Sequence, residues 1–295
     1  MRTRTDLLST LARWAAITVA LAALLFFAAG TTHILAIRAY IAIFSFFLLL
    51  TMLLVDPGLA GERVQPSASD TKSSLRFASG FLFLLTLAVS AWDVGHIRRG
   101  GGMHPGEQIC AFVLFIVAMS LQTLAMADNP FFSPEIRLQT ERGHHVITHG
   151  AYQLLRHPGY LAMLIAAPAS AVAIGSWLGL FCAAVFDLVI LRRTYLEDQF
   201  LREKLPGYQE YAQSVPGGLL PHSLLPHLMI LIALGFIAGL ILLPPPNITR
   251  PVIQGPNHPF PNAGCLVRLL PTPACIETRS CYLRAQDLKF CENED

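Results

Sequence analysis

The chain has 295 residues, of which 54% are hydrophobic and only 14% carry a charge, and its mean hydropathy is +0.52. Soluble globular proteins usually carry about 25% charged residues, so this composition excludes an ordinary soluble domain. The net charge of +2 and the lack of any Lys- and Arg-rich run exclude a typical nucleic-acid-binding protein. The sequence therefore predicts an integral membrane protein.

Uncharged runs of 16 to 20 residues predict the membrane-spanning helices, because about 20 residues cross a bilayer as a helix. Five such runs lie at 14–30, 39–55, 77–92, 108–127 and 228–243. A longer uncharged run, 158–186, contains Pro168 and the pair Gly175-Ser176, which predict two helices with a tight turn near Gly175. We therefore expect an all-α transmembrane bundle with about seven spans and a short irregular C-terminal tail.

The distribution of Lys and Arg among the loops predicts the orientation of this bundle. With a cytoplasmic N-terminus, the inside segments hold thirteen Lys and Arg residues, and the short outside loops hold three. We therefore expect the N-terminus in the cytoplasm and the C-terminal tail outside, in a multi-pass protein of the bacterial inner membrane. The first apolar run resembles a signal peptide, but a second run follows at once, so an uncleaved helix is expected.

Two long segments on the expected cytoplasmic side are rich in Arg, His, Tyr, Glu and Asp. The first contains HGAYQLLRHPGY, residues 149–160, directly before an uncharged run, and the second is RRTYLEDQFLREKLPGYQEYAQSVPGGLLP, residues 192–221. In the second segment Arg193 and Glu197 are four residues apart and share a helix face with Leu201. Polar groups at membrane depth are costly to bury, so the segments predict a site.

With the approach segment NPFFSPEIRLQTERG, residues 129–143, these blocks resemble the isoprenylcysteine carboxyl methyltransferase family and its phospholipid-methylating relatives. The approach segment resembles bacterial-type members. The family pattern is G-x-Y-x-x-x-R-H-P-x-Y, a short helical hairpin, a paired acidic block, a glycine followed by tyrosines, and a final proline. The resemblance covers about residues 40–225, and Asp198 replaces the usual second glutamate. The matching residues are Gly150, Tyr152, Arg156, His157, Pro158, Tyr160, Glu197, Asp198, Gly207, Tyr211 and Pro221.

The resemblance implies S-adenosylmethionine as the cofactor and a site without a metal. Arg156 and His157 would bind a carboxylate of the cofactor or the substrate, and Glu197 would accept hydrogen bonds from ribose hydroxyls or the ammonium. Tyrosine rings would face the adenine or the sulfonium charge. Arg156 and Glu197 are the expected catalytic residues. The expected cofactor-binding residues are Gly150, Tyr152, His157, Tyr160, Glu197, Asp198 and Tyr211.

Several of these residues also have a structural interpretation. Arg156 and His157 can contact lipid phosphates at the interface, and Tyr152 and Tyr160 can belong to an aromatic belt. Asp187, inside an apolar run, is expected to form an ion pair with Arg192. Three further histidines lie without a Cys or carboxylate at ligand spacing and predict a loop rather than a metal site: His144, His145 and His149.

The sequence divides into four expected parts. Residues 1–76 hold the N-terminal transmembrane helices and a loop, 77–226 a methyltransferase-like membrane core, 227–244 an extra transmembrane helix, and 245–295 a Pro- and Cys-rich extracytoplasmic tail. The tail cysteines are expected to form two disulfides, with three pairings open. They are Cys265, Cys275, Cys281 and Cys291, whereas Cys110 and Cys182 are expected to be packing residues in helices.

These observations favour an integral-membrane S-adenosylmethionine-dependent methyltransferase acting on a lipidic or isoprenoid-like acceptor, through a carboxylate, amine or thiol. A membrane lipid or lipidic substrate is the expected partner, and the oligomeric state stays open. One alternative is an NADPH-dependent membrane reductase of the sterol-reductase type, although the second block lacks the basic residues expected around a nucleotide phosphate. Another is a non-catalytic lipid-binding or assembly protein that works through its tail.

Overall fold

A computed structural model of the chain describes residues 4–55, 73–97 and 103–219. A π-helical turn, Asp93–Ile97, follows the third helix, and 3-10 turns at Thr140–Arg142 and Gly150–Gln153 lie in the connection before the fifth. No strand occurs in the described ranges, so the all-α prediction is confirmed. The α-helices of these ranges are α1 Arg4–Ala29, α2 Leu35–Leu54, α3 Ser73–Trp92, α4 Pro105–Asp128, α5 Pro158–Ile174, α6 Trp177–Lys204 and α7 Tyr208–Ser214.

Four helical segments are long and apolar enough to cross a membrane, judged by length and composition. They are Asp6–Ala29, Leu35–Leu54, Ser74–Ile97 and Pro105–Asp128. Helix α5 is apolar but shorter, and α6 begins apolar and ends with charged residues. The predicted count of about seven spans is therefore not confirmed, and the predicted span at 228–243 lies outside the described residues.

The helices extend beyond the uncharged runs that predicted them. Helix α1 begins at Arg4 rather than Trp14, and α2 begins at Leu35 rather than Ala39. A charged residue marks where a chain leaves the hydrocarbon, but it does not interrupt the backbone hydrogen bonds of the helix. Charge positions therefore locate the membrane-embedded part of each helix better than they locate its ends.

The predicted turn between α5 and α6 is confirmed at Gly175. This residue has a φ of 103°, a left-handed conformation that ends α5. Ser176 then caps α6, because its Oγ accepts a hydrogen bond from the backbone N of Gly179 at 2.8 Å. The same hydroxyl donates to Oδ2 of Asp93 at 2.7 Å, which joins the hairpin to the end of α3.

Helix α6 ends at Lys204, three residues before Gly207. Gly207 has a φ of 79° and lies in the tight turn that leads into α7. The turn folds α7 back towards the second half of α6, which positions Tyr208 and Tyr211 beside the start of α5.

Close helix packing builds the described part of the bundle. Helix α4 packs along α5, α3 along α6, and α5 along α6, while α1 and α2 pack against α3 and α4 respectively. At the contact of α3 and α6, a Cβ on Gly179 would lie 1.8 Å from Oγ of Ser90, so only glycine permits this approach. Tyr40 is fully buried, and its hydroxyl lies 3.1 Å from Oγ of Ser170, which satisfies a polar group inside the apolar core.

Large apolar side chains also lie on the outside of the bundle. Phe27 is 89% exposed and Phe181 70% exposed. Such side chains are costly to expose to water but suit the hydrocarbon of a bilayer. Together with the four long apolar helices, they support an integral membrane protein.

The chain divides into two compact units, Met1–Leu240 and Ile241–Asp295. The second unit, with the four tail cysteines, lies outside the described residues, so the predicted disulfides are not supported. The two cysteines that the structure describes are free. Cys110 is exposed on α4, which corrects the expectation that it is a packing residue, whereas Cys182 is partly exposed on α6.

Candidate active site

A cavity of about 350 Å³ lies at the end of the bundle where α3 and α5 begin and α4 ends. Its walls also include the 129–147 segment, the second half of α6, and α7. Small-molecule sites usually have volumes of about 300–1,000 Å³. Six of the predicted site residues border this cavity, namely Tyr152, Arg156, His157, Tyr160, Glu197 and Tyr211. The cavity therefore unites the two sequence blocks.

Two glycines let the first block approach the 129–147 segment. A Cβ on Gly159 would lie 2.4 Å from the ring of Phe132, so the start of α5 could not approach so closely with a larger residue. Gly150 has a φ of 59°, and a Cβ there would lie 1.9 Å from Oδ2 of Asp128. Gly150, a predicted cofactor-binding residue, does not border the cavity, and its observed role is to form this turn.

Asp198 joins the two blocks although it does not itself border the cavity. Its Oδ1 accepts hydrogen bonds from Nε of Arg156 at 2.9 Å and from the hydroxyl of Tyr208 at 2.9 Å, and lies 3.1 Å from Nε2 of His157. Its Oδ2 accepts from Nε of Arg202 at 2.8 Å. Burial raises the pKa of Asp198, but the hydrogen bonds from these four side chains outweigh burial and hold that pKa well below its usual value.

Arg156 also binds the chain that follows α7. Its Nη1 donates to the carbonyl oxygens of Val215 at 2.7 Å and Pro216 at 2.9 Å. The backbone N atoms of Arg156 and His157 donate to the carbonyls of Gly217 and Gly218, each at 3.0 Å. Most of the donors of Arg156 are therefore committed to protein acceptors, so the side chain has a structural role beside its predicted ligand-binding one.

Glu197 belongs to a second network on the cavity wall. The hydroxyl of Tyr160 donates to Oε2 of Glu197 at 2.5 Å, and Nε of Arg193 donates to that hydroxyl at 2.8 Å. Nη2 of Arg193 also donates to the carbonyl of Pro134. Within the described residues, Oε1 of Glu197 accepts no hydrogen bond. Glu197 is thus held by one oxygen, and the other can accept hydrogen bonds from a ligand.

Four tyrosines border the cavity, namely Tyr152, Tyr160, Tyr208 and Tyr211. The hydroxyl of Tyr211 donates to the carbonyl of Tyr152 at 2.6 Å, and that of Tyr152 donates to the carbonyl of Ala125 at 3.3 Å. Burial raises the pKa of Tyr211 to about 12 and raises the pKa of Tyr208 further, so all stay protonated at neutral pH. Their hydroxyls bind the protein, which leaves the rings to contact a ligand.

The loop predicted for the histidine cluster is confirmed, but two of its members contribute to the cavity. The rings of His144 and Phe131 stack with centroids 4.5 Å apart, and the backbone N of Gln139 donates to Nδ1 of His144 at 3.3 Å. Burial lowers the pKa of His144 to about 4, with smaller effects from the charges of His145 and Arg137. His144 is therefore neutral at pH 7 and offers an aromatic face.

One ion pair on the cavity wall was not predicted from the sequence. Nη1 of Arg76, at the start of α3, lies 3.3 Å from Oε1 of Glu135, and both side chains border the cavity. These residues are 59 positions apart, and neither belongs to a recognisable motif. The only sequence signal was that Arg76 contributes to the excess of positive charge on one side of the membrane.

The predicted ion pair between Asp187 and Arg192 is wrong. Among the described residues, Oδ1 of Asp187 is buried without a hydrogen-bond partner, and the guanidinium of Arg192 lies over the ring of Tyr195, 5.7 Å from its centroid. Residues five apart on a helix point away from each other, since five residues exceed one turn by about 140°.

Comparison with known proteins identifies the class to which this core corresponds. Residues 107–206 match the family model described as phospholipid methyltransferase. A probable protein-S-isoprenylcysteine O-methyltransferase of Oryza sativa subsp. indica is 37% identical over 113 residues, which cover 36% of this chain and 58% of the relative. Protein-S-isoprenylcysteine O-methyltransferase B of Arabidopsis thaliana is 26% identical over 157 residues, which cover 50% of this chain and 78% of the relative.

Residues 107–206 thus resemble the phospholipid methyltransferase family, and the chain is similar to plant protein-S-isoprenylcysteine O-methyltransferases. The resemblance predicted from the two sequence blocks is confirmed. Its bacterial-type refinement is not supported, because these relatives are plant proteins. The matched region spans just over half the length of the rice relative.

Proposed function

We propose that this protein is an integral-membrane S-adenosylmethionine-dependent methyltransferase that acts on a lipidic or isoprenoid-like acceptor. The observation that carries the proposal is Glu197, whose Oε2 is held by Tyr160 while Oε1 is available at the wall of a 350 Å³ cavity. Most residues of the cavity wall lie within residues 107–206, which match the methyltransferase family. The names of the plant relatives suggest a prenylated cysteine as the acceptor.

The residues of the cavity suit S-adenosylmethionine in size and chemistry. A carboxylate from Glu197 can accept hydrogen bonds from ribose hydroxyls or an ammonium group. The rings of Tyr152, Tyr160 and Phe131 offer faces to an adenine or to a sulfonium charge. When bound, the cofactor supplies an activated methyl group.

The protein's contribution to such a reaction is mainly positional. Transfer of a methyl group needs little covalent assistance but requires donor and acceptor in line, close together and shielded from water. The Asp198 network fixes the start of α5 against α6, and the Glu197–Tyr160–Arg193 network fixes α6 against the 129–147 segment. Both networks therefore keep the cavity walls at constant separation.

We further infer that the site faces the cytoplasm. The excess of Lys and Arg on the predicted inside segments supports a cytoplasmic N-terminus. The cavity would then open on the cytoplasmic side of the membrane, where a soluble cofactor is present. Impermeant labelling of a cysteine introduced at exposed His149, in a variant whose six native cysteines are replaced, tests this orientation. Labelling of inverted vesicles but not intact cells is expected, and the reverse pattern would show the opposite orientation.

Methyl transfer by purified protein in lipid nanodiscs tests the proposed activity. Methyl-labelled S-adenosylmethionine is supplied with one of three acceptors: N-acetyl-S-farnesylcysteine, phosphatidylethanolamine or a small thiol. We expect label in at least one acceptor and at least a tenfold slower reaction in Glu197→Gln, whose amide keeps the shape but not the charge. Thermal stabilisation by NADPH but not by S-adenosylmethionine would instead support a reductase.

A further inference from the structure

The arginines on the cavity wall differ in how many of their donors the protein already uses. Arg156 donates to Asp198 and to two carbonyl oxygens, and Arg193 donates to Tyr160 and to the carbonyl of Pro134. Arg137 binds Glu141 at 2.8 Å. The guanidinium donors of these three arginines are therefore directed at acceptors within the protein.

Arg76 is different. Its contact with a carboxylate is a single Nη1 to Oε1 distance of 3.3 Å to Glu135, which is long for an ion pair that involves a charge-assisted hydrogen bond. Its Nε is buried and has no hydrogen-bond partner in the part of the chain that the structure describes. A buried donor without an acceptor is destabilising, so the site would gain from an additional oxyanion.

The surroundings of Arg76 provide space for such a group. Gly80 lies one helical turn further along α3, also borders the cavity, and has nothing within 4 Å of the position that a Cβ would take. Gly80 is exposed, so the cavity opens at this place. Phe77, beside Arg76, is 64% exposed, and its apolar side chain makes the edge of the opening hydrophobic.

We propose that Arg76 binds the oxyanion of the lipidic acceptor, a carboxylate or a phosphate, while the acceptor's apolar chain leaves the cavity past Gly80. This inference rests on the proposed function, for which it names the acceptor-binding residue. In the absence of the acceptor, Glu135 pairs with the guanidinium of Arg76, so Glu135 competes with the acceptor for that group. Arg76 and Glu135 therefore have opposite effects on acceptor affinity, although they form one ion pair.

A binding measurement with two forms of one acceptor tests the proposal. The probes are N-acetyl-S-farnesylcysteine, which carries a carboxylate, and its methyl ester, which does not. Both are titrated into the full chain in nanodiscs, without S-adenosylmethionine. We expect the acid to bind about tenfold more tightly than the ester, a difference of about 1.4 kcal/mol. In Arg76→Gln the two forms should bind within about twofold of each other, with the affinity for the ester unchanged.

Glu135→Gln is the matched variant, because it breaks the same ion pair from the other side. We expect it to bind the acid as tightly as the wild type or more tightly, again with no change for the ester. If both variants lose affinity for acid and ester alike, the ion pair is only structural and the proposal is wrong. Discrimination between acid and ester that survives in Arg76→Gln would also overturn it. So would its absence from the wild type, if Arg76→Gln also binds lysophosphatidylethanolamine as tightly as the wild type does.

A second arm identifies the source of the oxyanion. Lysophosphatidylethanolamine replaces the farnesyl acid, and a tenfold loss in Arg76→Gln for this probe alone would assign the site to a phosphate. Because none of these titrations contains S-adenosylmethionine, they remain independent of the proposed activity. A protein that discriminates acid from ester but binds no S-adenosylmethionine would refute the methyltransferase proposal and leave the Arg76 site in place.

Discussion

At the scale of single residues, Asp198 has the largest number of partners in the site. Three cationic or potentially cationic side chains and one hydroxyl converge on its two oxygens. Removing one partner of a buried charge network usually costs more than the network contributes, because the remaining charges stay buried without compensation. The integrity of the cavity wall therefore depends on the charge of this carboxylate.

Asp198→Asn should lower the free energy of unfolding by about 2–3 kcal/mol, since Arg156 and Arg202 lose their counter-charge while partly buried. Thermal unfolding of the detergent-solubilised protein measures this loss. Asp198→Glu is the control, because it retains the charge and restores the residue usual in the resembling family. Equal melting temperatures for wild type and Asp198→Asn would show that the network is not stabilising.

His144 makes the stability of the cavity wall depend on pH. Its pKa is lowered from 6.5 to about 4, mainly by burial. Between these values the unfolded chain binds a proton that the folded protein does not, so the stability contribution of His144 is complete above about pH 6.5 and falls as the pH decreases towards 4. After solvent screening the loss should be about 1 kcal/mol, or about 2–4 °C in melting temperature.

His144→Asn should reduce this acid sensitivity, because asparagine does not titrate and its oxygen can accept the hydrogen bond from Gln139. The measurement is the change in melting temperature between pH 7 and pH 5. His149→Asn, in the same loop but exposed, is the matched control and should behave as the wild type. An unchanged pH dependence in His144→Asn would assign the acid sensitivity to other groups.

The sequence predicted the residues of the two blocks better than it predicted their partners. RHPGY and the Glu197-Asp198 pair are local patterns, and the fold brings them together as expected. Arg76 and Glu135 could not be identified, because an isolated charge has no local pattern and its partner depends on how α3 packs against the 129–147 segment. The wrong pairing of Asp187 arose from sequence proximity without regard to helical phase.

At the scale of helices, glycines determine how closely the cavity-forming elements approach. Gly179 lies where α6 crosses α3, and its missing side chain leaves room for Ser90. Helices that approach through a small residue gain more van der Waals contact along their whole length, which matters within a membrane where lipid is as apolar as the core. The spacing between α3 and α6 also determines the width of the cavity between Arg76 and Glu197.

Gly179→Ala should destabilise the protein by about 1–3 kcal/mol, because the new methyl group would overlap Oγ of Ser90. Adding Ser90→Gly should restore most of the loss, which a double-mutant comparison of melting temperatures would measure. Gly106→Ala, on α4 in open space, is the control and should be neutral or stabilising. Additive effects of Gly179→Ala and Ser90→Gly would contradict this packing.

Hydropathy predicted which segments form helices, but it did not predict where each helix ends. Uncharged runs marked α1 to α4, and the Gly175-Ser176 pair marked the α5–α6 turn because its backbone requirement is local. The second half of α6 carries alternating charges and continues the helix beyond the apolar part. That extension brings Arg193 and Glu197 to one wall of the cavity and places Asp198 behind it, where it binds Arg156. Hydropathy does not predict this continuation of the helix.

At the scale of the whole molecule, the described bundle is a scaffold that opens one cavity at the end where the two sequence blocks meet. The apolar helices provide the membrane-embedded surface, and the polar ends of α5 and α6 provide the chemistry. This division explains why charged residues of the site are tolerated beside long apolar segments: Arg156 and Asp198 have each other as counter-charges, and Glu197 lies on the cavity wall.

Isothermal titration calorimetry of S-adenosylmethionine into the purified chain in nanodiscs tests the central claim most directly. We expect a dissociation constant in the micromolar range, and at least a tenfold weaker one, a loss of about 1.4 kcal/mol, in Glu197→Gln. Glu203→Gln, exposed on the same helix, is the matched control and should bind as the wild type. No binding by folded wild-type protein, or equal affinity in Glu197→Gln, would contradict the assignment of this cavity as the cofactor site.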